Sequence, residues 1–407
     1  MGHGHSHRAH RHDEDDVEVA RVPRVVLLAV LGLLAATTVG GLVWLWPDGG
    51  KVDDVRRSVE FAAPGVTFPD AVVRKVAPVC TTAPGPGAGS GECNALEVEV
   101  TSGPDRGARA TVQVAPQVLA SGLEPGDGVR LLAPPAAAPD QPVAYSYFGT
   151  ERSGALWWLL GAFVLVVVAV ARLRGVLAIV GLAFSGVVIW QFVLPALLAG
   201  ESALLVGLVA SAAIMYVVLY TTHGFSMRTS AALAGTLAGV AITAATGLLA
   251  VGGTHLTGAG DESGSVLSSF TGGLDFQGLL TCAIVIAGLG VLNDVTITQA
   301  SAVWELRGAA PTLTRAQLFA RGMRIGRDHI ASTIYTIVFA YAGTALTVLL
   351  VIQLYDQPLL DLLVTEDIGQ EVVRALASSI GLVLAVPLTT VIATLTVPGP
   401  RRDDDVF

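Results

Sequence analysis

Charge is scarce in this chain of 407 residues: Asp, Glu, Lys and Arg together make up 14% of it, against about a quarter in an ordinary soluble protein. Lysine is almost missing, with Lys51 and Lys75 its only occurrences. A chain that is 52% hydrophobic and so poor in charge cannot cover itself with polar surface, which excludes a wholly soluble globule. The net charge of -9 comes without a basic face of any length. Nucleic acid is therefore excluded as a partner, because phosphate binding needs concentrated cations. Also missing are a nucleophile–base pair, a fixed metal triad and a phosphate loop at usable spacing, so an enzyme is not expected. The Gly-rich stretch from Gly85 to Gly91 lacks the lysine and following helix that a phosphate loop requires.

Long apolar runs are what the chain does have. A run of about 20 residues is long enough to cross a hydrocarbon core of about 30 Å as a helix, the open-chain form that satisfies its own backbone there. Eight such runs are present: Val25 to Trp46, Gly154 to Ala171, Val176 to Leu198, Ala203 to Tyr220, Ala231 to Val251, Gln277 to Ile297, Ile330 to Ile352 and Leu376 to Val397. The first is longer than a signal-peptide core and is followed by no small-x-small cleavage site, so it reads as a retained anchor. Trp44 and Trp46 end it and Trp157 and Trp158 open the next, as expected at the headgroup level. The predicted class is an α-helical polytopic membrane protein of about eight transmembrane helices.

Arginine sets the expected orientation, since cytoplasmic loops carry the excess of basic residues. With the amino terminus inside, the inner segments hold Arg21, Arg24, Arg172, Arg174, Arg228, Arg307, Arg315, Arg321, Arg324, Arg327, Arg401 and Arg402. The short outer loops hold one, Arg374, among Glu201, Asp261, Glu262, Asp275, Asp356, Asp361, Glu366, Asp367 and Glu371. Both termini are thus expected in the cytoplasm.

Residues 47–153 then form an extracytoplasmic domain after the first helix. Leu96 to Val100 and Ala110 to Val114 alternate with the period of half-buried strands, while Ser102-Gly103-Pro104-Asp105 and Glu124-Pro125-Gly126-Asp127 have turn chemistry. A small all-β domain of about five strands, OB-like in form, is expected. Cys80 and Cys93 flank a Pro/Gly-rich loop on the oxidising side, and a disulfide closing that loop is the favoured reading over two free thiols. Cys282, alone in a span, reads as a small apolar residue.

Ionisable residues inside a span are costly and mark candidate sites. Asp294 is the clearest, and Gly290, Asp294 and Thr298 at spacings of four share one helix face. Asp294 is either a functional carboxylate or a hydrated one that pairs with a loop arginine for structure alone. Thr314 and Gln317 have capping-box spacing and start a short helix expected to run toward Gly322. Gly322 and Gly326 would let that segment fold back on the sixth span, so that Arg324 or Arg327 meets Asp294; most of the arginines there also fit simple lipid-headgroup contact. Small residues recur every fourth position in three spans: Gly235, Gly239, Thr243, Gly247; Ser332, Thr336, Ala340, Thr344; and Ala377, Gly381, Ala385, Thr389, Ala393. Such ladders permit close helix approach, with the first the weakest of the three because its span is rich in small residues throughout. Pro195 and Pro387 interrupt two spans. No inverted repeat relates the halves, which argues against a familiar secondary-transporter fold.

Residues 1–24 form a polar tail carrying His3, His5, His7, His10 and His12, followed by Asp13 to Asp16. With nothing apolar to fold around, this tail is expected to be disordered. Imidazoles at short irregular spacing either bind Zn, Ni or Cu loosely or serve as a metal-indifferent tail. No other cofactor is expected. Residues 398–407 form a second cytoplasmic tail.

The sixth span and its sequel resemble the YibE/F family of bacterial membrane proteins. The residues that carry the resemblance are Gly288 to Leu306, with Gly-Leu-Gly-Val-Leu-Asn-Asp-Val-Thr-Ile-Thr and Ser301-Ala302-Val303-Trp304-Glu305-Leu306, and Gly322 to Gly343, with Ile325-Gly326-Arg327-Asp328. The resemblance covers roughly residues 154–397 and implies a multi-pass protein of the bacterial plasma membrane. It implies Asp294, Glu305, Gly326, Arg327 and Asp328 as signature positions, with Thr298 completing the face around Asp294. Asn293 and His329 depart from the family's pattern, which argues against a proton-handling role for His329. The function expected is a permease moving a small solute or ion through a polar site around Asp294 near the cytoplasmic side. The alternative is a scaffold or sensor that recruits a protein partner through the β-domain.

Overall fold

The structure is a computed structural model, and it describes residues 21–58, 65–79, 93–135, 143–260, 262–270, 273–354 and 365–400. His3, His5, His7, His10, His12, Cys80, Arg401 and Arg402 lie outside the described residues, as do Asp261, Asp356, Asp361 and the Gly85–Gly91 stretch. The chain forms two compact units, residues 57–170 and residues 1–56 with 171–407.

The first unit is built on five antiparallel strands: β1 (Asp70–Val76), β2 (Ala95–Val100), β3 (Arg109–Gln113), β4 (Gly128–Leu132) and β5 (Ser146–Thr150), in the order β3-β2-β1-β4-β5. A one-turn helix, Pro116–Ala120, lies between β3 and β4, and β3 approaches β5. Alternation sets the register, since a slip of one residue would turn every apolar side chain outward. Val73 pairs with Val98, Ala71 with both Val100 and Val129, and Leu96 with Val112. These side chains and Leu131 make the core. The turn at Glu124–Asp127 closes through the Asp127 carboxylate, which accepts from the Glu124 amide at 2.8 Å, with Gly126 at φ 108°. Cys93 is disulfide-bonded, whereas Cys282, in the other unit, is free and buried.

The second unit is helical. Its elements are α1 (Arg21–Trp44), α2 (Gly49–Ser58), α6 (Ala203–His223), α7 (Met227–Gly253), α8 (Glu262–Phe270), α9 (Phe276–Ala309), α10 (Arg315–Thr344), α11 (Leu346–Leu354) and α12 (Glu366–Thr396). With the turn at 116–120 counted as α3, α4 (Ser153–Val188), whose residues up to 170 belong to the first unit, and α5 (Leu194–Leu198) complete the series, joined by a π-helical turn at Ile189–Val193 just before Pro195. Caps fix the starts. Ser226 accepts from the Thr229 amide at 3.1 Å, Asp275 from the Gly278 amide at 2.9 Å, and Thr314 and Gln317 complete a capping box.

Six helices among the described residues are long and apolar enough to cross a membrane: Arg21–Trp44, Ser153–Leu198, Ala203–His223, Met227–Gly253, Phe276–Ala309 and Glu366–Thr396. The expected eight is a finer count than these six, and it differs from them at two places. Gly154–Ala171 and Val176–Leu198 fall within one helical run, interrupted by non-helical geometry at Arg172 (φ 52°, ψ −132°). The seventh expected span is divided between the end of α10 and α11, and the short helix expected to stop near Gly322 runs on through Gly326 to Thr344.

The unit's core is α7 packed on α9 and α12, with α6 and α10 flanking. The two ladders on α7 and α12 are buried against each other: a methyl group at Gly235 would collide with Thr389, and one at Gly381 with Thr243. In lipid, where apolar side chains gain nothing by leaving the tails, such close approach is the main source of helix association. The α10 ladder behaves differently. Ser332, Thr336, Ala340 and Thr344 are exposed, and α10 packs instead through Leu318, Gly322, Gly326, Thr333 and Ile337. The weakest-looking ladder is a packed one, because composition alone does not reveal which face meets a neighbour.

Candidate functional site

Glu371, Arg374, Ser378 and Leu382 are three or four apart along α12 and therefore share one face. Ser378 and Leu382 line a cavity of ≈ 210 Å³ whose other walls are Ala287, Gly288 and Val291 of α9 and Thr336, Ile337, Ala340, Tyr341 and Thr344 of α10. Gly288 leaves room beside Ser378: a methyl group there would lie 3.6 Å from the serine oxygen.

An ion pair lies one turn from Ser378 along α12, outside the residues that line the cavity. Arg374 Nη1 donates to Glu371 Oε1 at 2.8 Å, and the guanidinium carbon lies 6.0 Å from the centre of the Tyr341 ring, within cation–π range. The ion pair is single-pronged. Glu371 Oε2 and Arg374 Nε are buried without a hydrogen-bond partner, as is Ser378 Oγ, whose residue is 3% exposed. An unmade hydrogen bond on a buried group costs roughly 1–3 kcal/mol, more for charged groups. Clustered orphan groups beside open space therefore call for a ligand or water.

A second polar cluster, toward the other end of α9, is closed. Gln299 is 2% exposed, and its amide nitrogen donates to the Gly322 carbonyl at 3.0 Å and to Thr390 Oγ1 at 2.7 Å. Thr236 and Thr296 share a hydrogen bond of 2.6 Å nearby on α7 and α9. Gly322 and Gly326 bring α10 against this cluster; a methyl at Gly326 would lie 2.7 Å from Val386 and 3.0 Å from Gln299 Oε1. Beyond it, buried Arg307 donates to the carbonyls of Pro311 and Leu313 at 3.0 and 2.8 Å and fastens the α9–α10 connection.

Gly322 and Gly326 bring α10 against the sixth expected span as the sequence suggested, and of the signature positions Gly326 lies in this packing. Asp294, Glu305, Arg327 and Asp328 are exposed and Thr298 is half-buried. Among the described residues no ion pair joins Asp294 to Arg324 or Arg327. The reason is angular. With Gly326 turned into the bundle, Arg324 and Asp328 are two positions away, about 200° round the helix. Gly290 likewise has nothing near its would-be side chain, so the Gly290–Asp294–Thr298 face is not a close-approach surface within the chain. Among the described residues no group of three His, Cys, Asp or Glu could hold a metal ion.

Sequence reasoning passed over Gln299, Glu371, Arg374 and Ser378. The signal for Arg374 was present, since it is the single arginine in the otherwise acidic short outer loops. A family model described as YibE/F-like protein matches residues 159–399. The chain belongs to the YibE/F-like family. Both polar clusters lie within the YibE/F-like region, and strands β1 to β5 precede it. Comparison with curated proteins and with solved structures gave no match.

Proposed function

We propose that this YibE/F-like protein is a permease that handles a small solute or ion in the cavity between α9, α10 and α12. The observation that carries this reading is the ≈ 210 Å³ cavity between α9, α10 and α12, with Thr336, Tyr341, Thr344 and Ser378 in its lining and the Glu371–Arg374 ion pair one turn from Ser378 along α12. With the arginine-rich connections in the cytoplasm of a bacterial cell and both termini inside, the Glu371–Arg374 end faces outward. The strand order, with a helical turn between β3 and β4, supports reading that domain as OB-like.

The polar site is thus reassigned from the surroundings of Asp294 to α12. No reaction is assigned to it, and the protein is read as a non-enzyme. Loose transition-metal binding by the histidine tail is a separate proposal; Zn titration of the full chain, against a form with the five histidines changed to asparagine, tests it.

The test of the permease reading is flux. Protein reconstituted into vesicles and screened against a panel of ions and small solutes should move at least one, and Glu371→Gln or Arg374→Gln should cut that flux by about tenfold or more. Flux of nothing, with both variants leaving the cellular phenotype untouched, removes the reading. A scaffold acting through the β-domain is separated by deleting residues 52–148, which should abolish a scaffold's function and leave vesicle flux in a permease.

A further inference from the structure

One group of cations in the helical unit has no acid to balance it. The part of α4 after the kink at Arg172 packs on α6, where a methyl group at Gly181 would lie 3.4 Å from Val218. The two helices are joined through α5 and the turn at 199–202 and run in opposite directions. Two turns from that contact, Arg174 therefore comes level with the end of α6. There His223 closes the helix, Gly224 redirects the chain at φ 77°, and Arg228 stands in the first turn of α7. The positive charges of Arg174 and Arg228 both bear on His223. Among the described residues no carboxylate forms an ion pair with any of the three.

Charge sets the class of ligand. Water or a neutral group offers hydrogen bonds but does not offset like charges held together, whereas an anion among them does. A phosphate suits the arrangement, since guanidinium groups from two helices can each take a separate oxygen. Thr222 Oγ1, one turn beyond Val218 on α6 and buried without a hydrogen-bond partner, adds a hydroxyl donor beside them.

The surroundings of the cluster tell a lipid phosphate from a free one. Leu173, Val176 and Val180 follow one side of α4 and are exposed, in a helical run apolar enough to cross a membrane. The Phe225 ring is 88% exposed and stacks on Tyr220 at 4.5 Å. Free phosphate would use none of this apolar surface. A phospholipid uses both parts, and basic pockets between membrane helices are where acidic head groups bind. We propose that Arg174, His223 and Arg228 form a site for one anionic phospholipid, its phosphate among the cations and an acyl chain along the exposed side of α4. The site is independent of the permease reading and of the cavity beside Ser378.

The test is native mass spectrometry of the full-length protein, delipidated in detergent and titrated with phosphatidylglycerol, with phosphatidylethanolamine of the same acyl chains, or with inorganic phosphate. One phosphatidylglycerol should be retained per chain, and phosphatidylethanolamine, which has no net charge, about tenfold more weakly or worse. Arg174→Gln and Arg228→Gln should each weaken phosphatidylglycerol by about tenfold, with thermal unfolding confirming that each is folded. Arg321→Gln removes an exposed arginine of α10 and should leave retention unchanged, which separates a built site from the general attraction of basic segments to acidic lipid. On the unaltered protein, retention should fall as ammonium acetate is raised, a measurement that needs no variant to fold. The proposal is overturned if phosphatidylethanolamine is held as tightly, if folded Arg174→Gln and Arg228→Gln hold phosphatidylglycerol unchanged, or if Arg321→Gln loses as much as they do. Retention indifferent to salt would overturn it too, as would inorganic phosphate displacing the lipid at equal concentration, which would make free phosphate the ligand.

Discussion

Two polar clusters interrupt the same three-helix contact of α9, α10 and α12, and they are built differently. Around Gln299 the amide donates to Thr390 and to a backbone carbonyl, and two glycines draw α10 in until the space is filled. Around Ser378 there is open volume, and one turn along α12 an ion pair leaves Glu371 Oε2 and Arg374 Nε without a hydrogen-bond partner. A buried polar group that is fully satisfied tells one helix where its neighbour belongs. Unsatisfied groups serve no such end. By this contrast the Gln299 cluster is a fastening, and the Ser378 cluster is where the proposed site lies.

The contrast can be broken from the fastening side, where the effects should be largest. Gly235→Val drives a branched side chain into Thr389 across the α7–α12 contact. It should lower stability by the upper part of the about 1–3 kcal/mol typical of overpacking, or prevent folded protein from accumulating. Gly290→Val, where a side chain meets nothing within 4 Å, should leave thermal unfolding near that of the parent; equal damage at both positions would contradict the packing described. Gln299→Leu comes next. It deletes two interhelical hydrogen bonds, each worth about 0.6 kcal/mol on average in a membrane protein, and leaves a carbonyl and a hydroxyl short of a donor. A loss of about 1–2 kcal/mol in unfolding experiments is expected. Ser378→Ala should act in the opposite sense: with an orphan hydroxyl removed, stability should be unchanged or raised by up to about 1 kcal/mol, while ligand binding weakens. A Ser378→Ala protein as damaged as Gln299→Leu would show that the serine is a structural group after all.

How much of this could be read in advance depended on whether the signal was local. The strands β2 and β3 were visible because alternation is written in consecutive residues, and the α10 start because Thr314 and Gln317 form a capping box wherever the helix goes. The helical membrane character followed from run length alone. What spacing does not show is facing. Asp294 stands out as an ionisable residue in an apolar run, and its side chain is exposed, which nothing in its spacing could tell. The α10 ladder of Ser332, Thr336, Ala340 and Thr344 was as regular as the α12 ladder but lies on the exposed side. Gln299 was passed over because an amide carries no formal charge, and Ser378 because one hydroxyl among many small residues is unremarkable until its neighbours leave it without a partner. Arg374 could have been found, as an exception to the charge pattern that set the orientation.

The smallest expected effect extends the comparison to the β-domain, where a partly buried hydroxyl has the partner that Ser378 lacks. Tyr145 Oη donates to Asp105 Oδ2 at 2.8 Å. Burial foremost, and then the hydrogen bond and negative charge of Asp105, push the phenol up to about 12 from its ordinary value of 10.0. A group whose folded-state pKa is raised contributes its stabilisation while protonated in both states, below about pH 10, and loses it as pH rises through the folded value. The stabilisation should therefore be intact at neutral pH and decline between about pH 10 and 12. Tyr145→Phe should slightly destabilise the β-domain at neutral pH and flatten that decline, as followed by unfolding across the alkaline range, with the spectrum of the late-titrating tyrosine lost at the same time. Asp105→Asn removes the charge while keeping an acceptor, and should bring the phenol part of the way back toward its ordinary value, since burial remains. An unchanged titration in Asp105→Asn would leave burial as the whole cause, and the hydroxyl would then belong with the unpaired group of Ser378 and not with the fastened amide of Gln299.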